Sequence, residues 1–167
     1  MSLLPPFLLD SNVFIEAAKR YYAFDIAPTF WDQLVHHARN GRLLSIDRVK
    51  DELDRQRDKL SCWANDQFHS YFASTGEQEV MKRYVDIISW AYAQSQFTLA
   101  AKREFAHADN ADAWLVAYAT AKGCTVVTHE QHDPNIKRRI PIPNICREFY
   151  VPWVDTFTML RQLGVSF

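Results

Sequence analysis

The sequence predicts an α/β fold around a mainly parallel sheet. Three observations carry that expectation. Short apolar runs, Phe7-Leu8-Leu9, Leu43-Leu44-Ser45-Ile46 and Cys124-Thr125-Val126-Val127-Thr128, alternate with longer stretches of helical periodicity. The first run is apolar throughout, as a strand covered on both faces is. The chain has 167 residues, 48% hydrophobic and 14% aromatic, enough for one core and one domain spanning 1–167.

Phe7 to Leu9 reads as a buried strand ending at Asp10. Ser11 or Asn12 then caps a helix reaching Tyr21, with Val13, Phe14, Ala17 and Ala18 on its inner side. Pro28 opens a second helix, whose Phe30, Trp31, Leu34, Val35 and Ala38 recur at helical spacing until Asn40-Gly41 closes it. After the strand at 43–46, Asp47 caps an exposed, charge-rich helix from Arg48 to Leu60. Residues 61–76 read as irregular or partly helical. A long helix is expected over 77–96 and a short one over 99–105. A helix capped by Asp109 or Asn110 runs to Lys122, apolar on nearly every side, before Gly123 stops it. The strand at 124–128 precedes a polar loop, 131–144, and two short elements near 145–149 and 156–163. No repeat or low-complexity tract interrupts the chain, and the helical segment 61–106 stands out as an insert or lid within the one domain.

Nineteen Lys+Arg against twenty Asp+Glu give a net charge of −1, which excludes a protein that coats nucleic acid through bulk positive charge. Only four glycines occur, and neither G-x-G-x-x-G nor G-x-x-x-x-G-K-[ST] is present, which argues against the common dinucleotide and P-loop sites. Cys62, Cys124 and Cys146 are odd in number and widely spaced, so neither a disulfide framework nor a zinc ribbon is expected. Cys124 and Cys146 read as small core residues. The apolar start, Met1 to Phe14, is broken by Pro5, Pro6 and Asp10 and carries no basic leader. The expectation is a cytoplasmic protein with no membrane association.

The informative feature is where the acids fall. Asp10 closes the first strand, and Glu52 lies about a turn into the helix after the second. Asp112 lies in the first turn of the apolar helix, and Glu130 follows the strand at 124–128. Open α/β sheets bind ligands at the carboxyl ends of their strands, where such residues gather. Four carboxylates there repel unless a cation neutralises them, and hard oxygen ligands select Mg²⁺ or Mn²⁺. Such ions activate water and stabilise charge on a phosphodiester undergoing displacement. Each acid also has a plainer reading. Asp10 caps a helix, Glu52 belongs to the solvated run Lys50-Asp51-Glu52-Leu53-Asp54-Arg55, Asp112 complements a helix dipole, and Glu130 is an ordinary loop acid.

Four segments together resemble the PIN-domain nucleases, in that family's order. They are Leu8-Leu9-Asp10-Ser11-Asn12-Val13, Ser45-Ile46-Asp47-Arg48-Val49-Lys50-Asp51-Glu52-Leu53, Ala111-Asp112-Ala113-Trp114-Leu115-Val116-Ala117-Tyr118-Ala119 and Thr125-Val126-Val127-Thr128-His129-Glu130. The likeness is nearest to the toxin-like bacterial branch related to VapC toxins, in particular a subgroup known as a domain of unknown function. That subgroup's C-terminal pattern is similar to Ile140-Pro141-Ile142-Pro143-Asn144-Ile145-Cys146. The resemblance implies a PIN-like three-layer α/β/α fold and a Mg²⁺- or Mn²⁺-dependent endoribonuclease that leaves 5′-phosphate and 3′-hydroxyl ends. It also implies the toxin of a toxin–antitoxin pair, with a cognate antitoxin protein as partner, and homodimerisation is common in that family. Position by position, Asp10, Glu52 and Asp112 match the metal-binding acids, and Glu130 matches the fourth acidic position. Thr128 matches the hydroxyl residue two before it, and Asn12 the small polar residue after the first acid. This chain departs at Glu130, where the family commonly has Asp, and the longer side chain suits binding through water. The resemblance assigns Asp10 and Asp112 to one ion, Glu52 to orienting it, and Glu130 with Thr128 to a second ion or to the attacking water.

Arg48 and Lys50, with Arg55 and Arg57, lie near Glu52 in sequence, and Lys137-Arg138-Arg139 follow the last of the three runs. Both groups are candidates to grip RNA phosphates, although charge runs are often merely solvated faces. His129-x-x-His132 has no third ligand at zinc spacing, which leaves His129 to face the substrate. His36 and His37 read as surface, Trp31, Trp90 and Trp114 as core, and Trp153 as core or a partner contact. Two other readings stand beside the nuclease. One is a phosphohydrolase of the haloacid-dehalogenase type with Asp10 as nucleophile, which wants a second Asp where Asn12 stands. The other is a PIN-like module kept for binding alone, against which four filled acidic positions argue.

Overall fold

The computed structural model describes residues 4–167. Among these, five strands form one all-parallel sheet: β1 (Phe7–Leu9), β2 (Leu43–Ile46), β3 (Phe72–Ala73), β4 (Thr125–Val127) and β5 (Trp153–Val154), in the order β3-β2-β1-β4-β5. Phe7 pairs with Leu43 on one side and Thr125 on the other, so β1 is central. The described helices are α1 (Ser11–Glu16), α2 (Pro28–Arg39), α3 (Asp47–Asp54), α4 (Lys59–Gln67), α5 (Gln78–Ala93), α6 (Leu99–Phe105), α7 (Asp112–Lys122), α8 (Ile142–Glu148) and α9 (Thr156–Gln162).

Parallel crossovers are right-handed, so stepping outward from β1 to β3 lays helices on one face, and returning to β4 and β5 lays them on the other. The packing follows this rule: α1 contacts α3 and α3 contacts α4, while α7 contacts α5 and α8. The predicted α/β class holds, and the sheet is parallel throughout. One helix layer packs through rings: Phe14, Trp31, Trp63 and Phe68 meet with centroids 4.7–6.0 Å apart. On the other, Ala113 to Ala117 of α7 are all buried, which is why that helix is apolar on nearly every side.

The structure departs from the sequence expectation at several joints. The helix after β1 widens at Ala17–Tyr21 into a π-helical turn, where the Tyr22 N–H donates five residues back to the Ala17 carbonyl at 2.8 Å. The helix expected over 48–60 is two. Arg57 adopts a left-handed φ of +47° between them, and Asp58 caps α4 by accepting from the Ser61 N–H at 3.0 Å. Residues 61–106, read as a helical insert or lid, contain the edge strand β3 as well as α5, which lies along α7. His37, expected at the surface, is 5% exposed, with Nδ1 3.5 Å from an Arg42 guanidinium nitrogen. Trp31, Trp114, Cys124 and Cys146 are buried as expected, and Trp153 is half-buried in β5.

Candidate active site

The strand order reverses between β1 and β4, and the crevice beyond the carboxyl ends at such a reversal is where α/β sheets bind ligands. Asp10 and Thr128 stand there, one residue beyond their strands. The Asp10 N–H donates to the Val127 carbonyl at 3.0 Å and the Thr128 N–H to that of Val154 at 3.0 Å, so ladder hydrogen bonds fix both backbones. Asp10 is 2% exposed. It occupies the N-cap of α1, yet its side chain makes no capping hydrogen bond. Instead the Thr128 hydroxyl donates to Oδ2 at 3.1 Å, and the Ser11 hydroxyl lies 3.4 Å from Oδ1. The plain capping reading of Asp10 therefore fails.

Glu52 reaches from α3 to the start of α7, where Oε1 accepts from the Ala111 N–H at 3.1 Å. Asp112 opens α7, its N–H held by Asn110 Oδ1 at 2.9 Å. Its carboxylate lines a cavity of about 60 Å³ with Glu104, Asn110 and Arg139.

Asp10, Glu52 and Asp112 act on one another. Burial pushes the Asp10 carboxyl up from 3.8 to about 6; the Thr128 hydroxyl holds it down in part, and the Glu52 charge pushes it further. Asp112 is raised further, to about 8, first by burial, then by the charges of Asp10 and Glu52, with Arg139 offsetting them and Glu104 adding to them. Neither Asp10, Glu52 nor Asp112 sits in an ion pair among the described residues. Charge repulsion at a carboxylate set is what a hard divalent ion relieves, so the donor chemistry fits Mg²⁺ or Mn²⁺. The side chains do not already form a closed cage: among the described residues, no three His, Cys, Asp or Glu groups are gathered tightly enough to hold an ion.

Glu130 stands apart from that trio. Its backbone N–H donates to Thr128 Oγ1 at 3.2 Å, but its carboxylate forms an ion pair with Arg139 and accepts from the Ile142 N–H at 3.3 Å, at the start of α8. Asn12 is exposed on the first turn of α1. Of the basic candidates, Arg48 lies over the Trp114 ring at 4.3 Å and its Nε donates to Thr75 Oγ1 at 3.3 Å, while Lys50 pairs with Asp54 at 2.6 Å. Those two cations are engaged in fixing α3. Lys137 and Arg138 are exposed, with no ion pair among the described residues. Sequence reasoning missed Glu104, because a lone acid on α6 carries no signal of the helix it faces. It also passed over Ser11 as a partner of Asp10, although a hydroxyl one residue on was the available clue.

These features define an α/β protein with an all-parallel sheet whose Asp10, Glu52 and Asp112 charges act on one another near its switch point. The chain belongs to the family described as a domain of unknown function, DUF4411, whose model matches residues 7–167. None of the curated proteins matches the sequence. Among solved structures it is similar to VapBC2 from Rickettsia felis, determined bound to a DNA fragment from their promoter. The sequences are 14% identical, the match covers 89% of this chain and 97% of that one, and the TM-score is 0.50. Among the described residues, no helix is long and apolar enough to cross a membrane.

Proposed function

We propose that this protein is a Mg²⁺- or Mn²⁺-dependent endoribonuclease, and that it acts as the toxin of a toxin–antitoxin pair held in check by a cognate antitoxin protein. The observation that supports the reading is the mutual repulsion of Asp10, Glu52 and Asp112 beyond the carboxyl ends of β1 and β4. In this proposal Asp10 and Asp112 hold the divalent ion and Glu52 completes its shell. When bound, such an ion lowers the pKa of water and stabilises charge on a phosphoryl oxygen. Thr128 and Ser11 orient the Asp10 carboxylate, as outer-shell hydrogen bonds orient ligands generally. Glu52 also ties the start of α7 to α3, which fixes Asp112 relative to Asp10. Glu130 anchors Arg139 and the start of α8, and in a cleaving complex it receives or orients a water at the edge of the site. The exposed Lys137 and Arg138 meet RNA phosphates.

The test is cleavage of a mixed RNA pool with Mg²⁺, Mn²⁺ or chelator, with the ends mapped. Cleavage that requires the ion, leaves 5′-phosphates and disappears in Asp10→Asn supports the reading. Full cleavage in chelator, or by purified Asp10→Asn, overturns it. The toxin role is tested separately, by whether expression arrests growth and whether co-expression of the neighbouring reading frame relieves the arrest.

A further inference from the structure

Beside the acids, on the other side of Thr128, lies a group of rings that the proposed hydrolysis does not use. The π-helical turn Ala17–Tyr21 follows α1, and such turns re-aim side chains and are frequent at functional sites. Here the turn ends on Tyr21, an aromatic ring left 52% exposed. Tyr21 meets Phe157 edge-on with centroids 5.6 Å apart and lies 6.2 Å from the His129 ring at a shallow 33°. The His129 ring is 6.3 Å from Phe157 and is pinned by its Nε2 at 3.0 Å from the hydroxyl of the buried Thr156. His129 directly follows Thr128, whose hydroxyl donates to Asp10, so the ring group is continuous with the candidate active site. Arg20, on the same π-helical turn, is exposed and pairs with Glu16 at 3.4 Å.

A half-exposed aromatic face, backed by a second ring, matches the face of an unpaired nucleobase. A base inside a duplex keeps its faces stacked on its neighbours and cannot offer one to a protein ring. We propose that Tyr21, supported by Phe157 and His129, is a stacking platform for one unpaired base of the RNA strand near the cleaved bond. This rests on the endoribonuclease reading above.

The experiment measures binding of a labelled single-stranded oligoribonucleotide by fluorescence anisotropy, in the Asp10→Asn background so that nothing is cut. Tyr21→Ala is expected to weaken binding roughly tenfold or more, in the range seen for base–aromatic stacks. Tyr21→Trp is expected to keep the affinity within about threefold of the parent, since the indole offers the same flat face. The salt dependence of the affinity is expected to stay unchanged in Tyr21→Ala, because stacking releases no counterions. Binding to a duplex of the same sequence is expected to be weaker and indifferent to the substitution. Equal single-strand affinity in Tyr21→Ala, or an equal loss on duplex, overturns the platform while the nuclease reading stands. If Tyr21→Ala weakens single-strand binding as expected but wild-type protein cuts no RNA in Mn²⁺, the platform stands and the nuclease reading falls. No RNA binding by the parent overturns both.

Discussion

Replacing Asp10 by Asn is expected to stabilise the metal-free protein at neutral and alkaline pH. The Asp10 carboxyl is raised from 3.8 to about 6 in the fold, mainly by burial, against a lowering by Thr128. Between those values the folded chain binds a proton that the unfolded chain has lost, so stability falls as pH rises through this window and stays low above it. A shift of about two units, at about 1.4 kcal/mol each, amounts to ~3 kcal/mol at pH 8. The amide bears no charge and escapes the penalty, yet it still hydrogen-bonds the Thr128 hydroxyl, because an amide both accepts and donates. For a chain of this size, 1 kcal/mol moves the melting temperature by about 2–4 °C, so Asp10→Asn is expected to melt ~6–12 °C above wild type at pH 8. Below about pH 4 the difference should vanish, since both carboxyl states are then protonated. Calorimetric melts of both proteins in chelator from pH 4 to 8 check this. A variant that melts below wild type at pH 8, or a difference that does not change with pH, refutes the claim that Asp10 is a strained buried carboxylate.

The remaining predictions concern the same edge and the cysteines. Mn²⁺ is expected to raise the melting temperature of wild type in proportion to ligand linkage, and to leave Asp112→Asn and Glu52→Gln nearly unmoved; calorimetric titration measures the lost affinity directly. Arg139→Ala removes the charge that offsets the repulsion on Asp112, so the metal-free variant is expected to melt lower at pH 8 and yet bind Mn²⁺ several-fold tighter, as the differing signs of the two charge effects require. Burial pushes the Cys124 thiol up to about 11 and Cys146 higher still, whereas Cys62 is exposed, so one thiol per native chain is expected to react quickly with a disulfide reagent and three after denaturation.

What was legible in the sequence was what long apolar patterns encode. β1, β2, β4 and α7 announce themselves through runs that must be covered on both sides, and their succession specifies a parallel sheet. The two edge strands β3 and β5 were not legible. Each is two residues long, and Phe72-Ala73 and Trp153-Val154 are too short to carry a period. The break between α3 and α4 was hidden because no Gly or Pro marks it; the chain turns through a non-glycine residue, Arg57, in the left-handed region. At the site, the strand-end and helix-start acids could be placed at one edge because topology alone carries them there. The partners could not, since which hydroxyl faces Asp10, and whether Arg139 or an ion faces Glu130, depends on contacts made across 118 residues and within a loop.

The net charge of −1 takes on a different meaning once the charges have positions. Asp10 and Asp112 stand where burial makes their charge costly, with the Glu52 charge acting on both, while Arg48 and Lys50 are turned to Trp114 and Asp54 instead. The charges of these acids cost the metal-free fold stability, and a cation at the proposed site would relieve that cost. In that state the two charges of a divalent ion cancel most of the local excess. Next to Arg139, which lines the Asp112 cavity, Lys137 and Arg138 remain exposed. A near-neutral chain with acids at its switch point and exposed cations near them is poorly suited to coating nucleic acid, and the proposed activity asks instead that it draw one phosphodiester towards one ion.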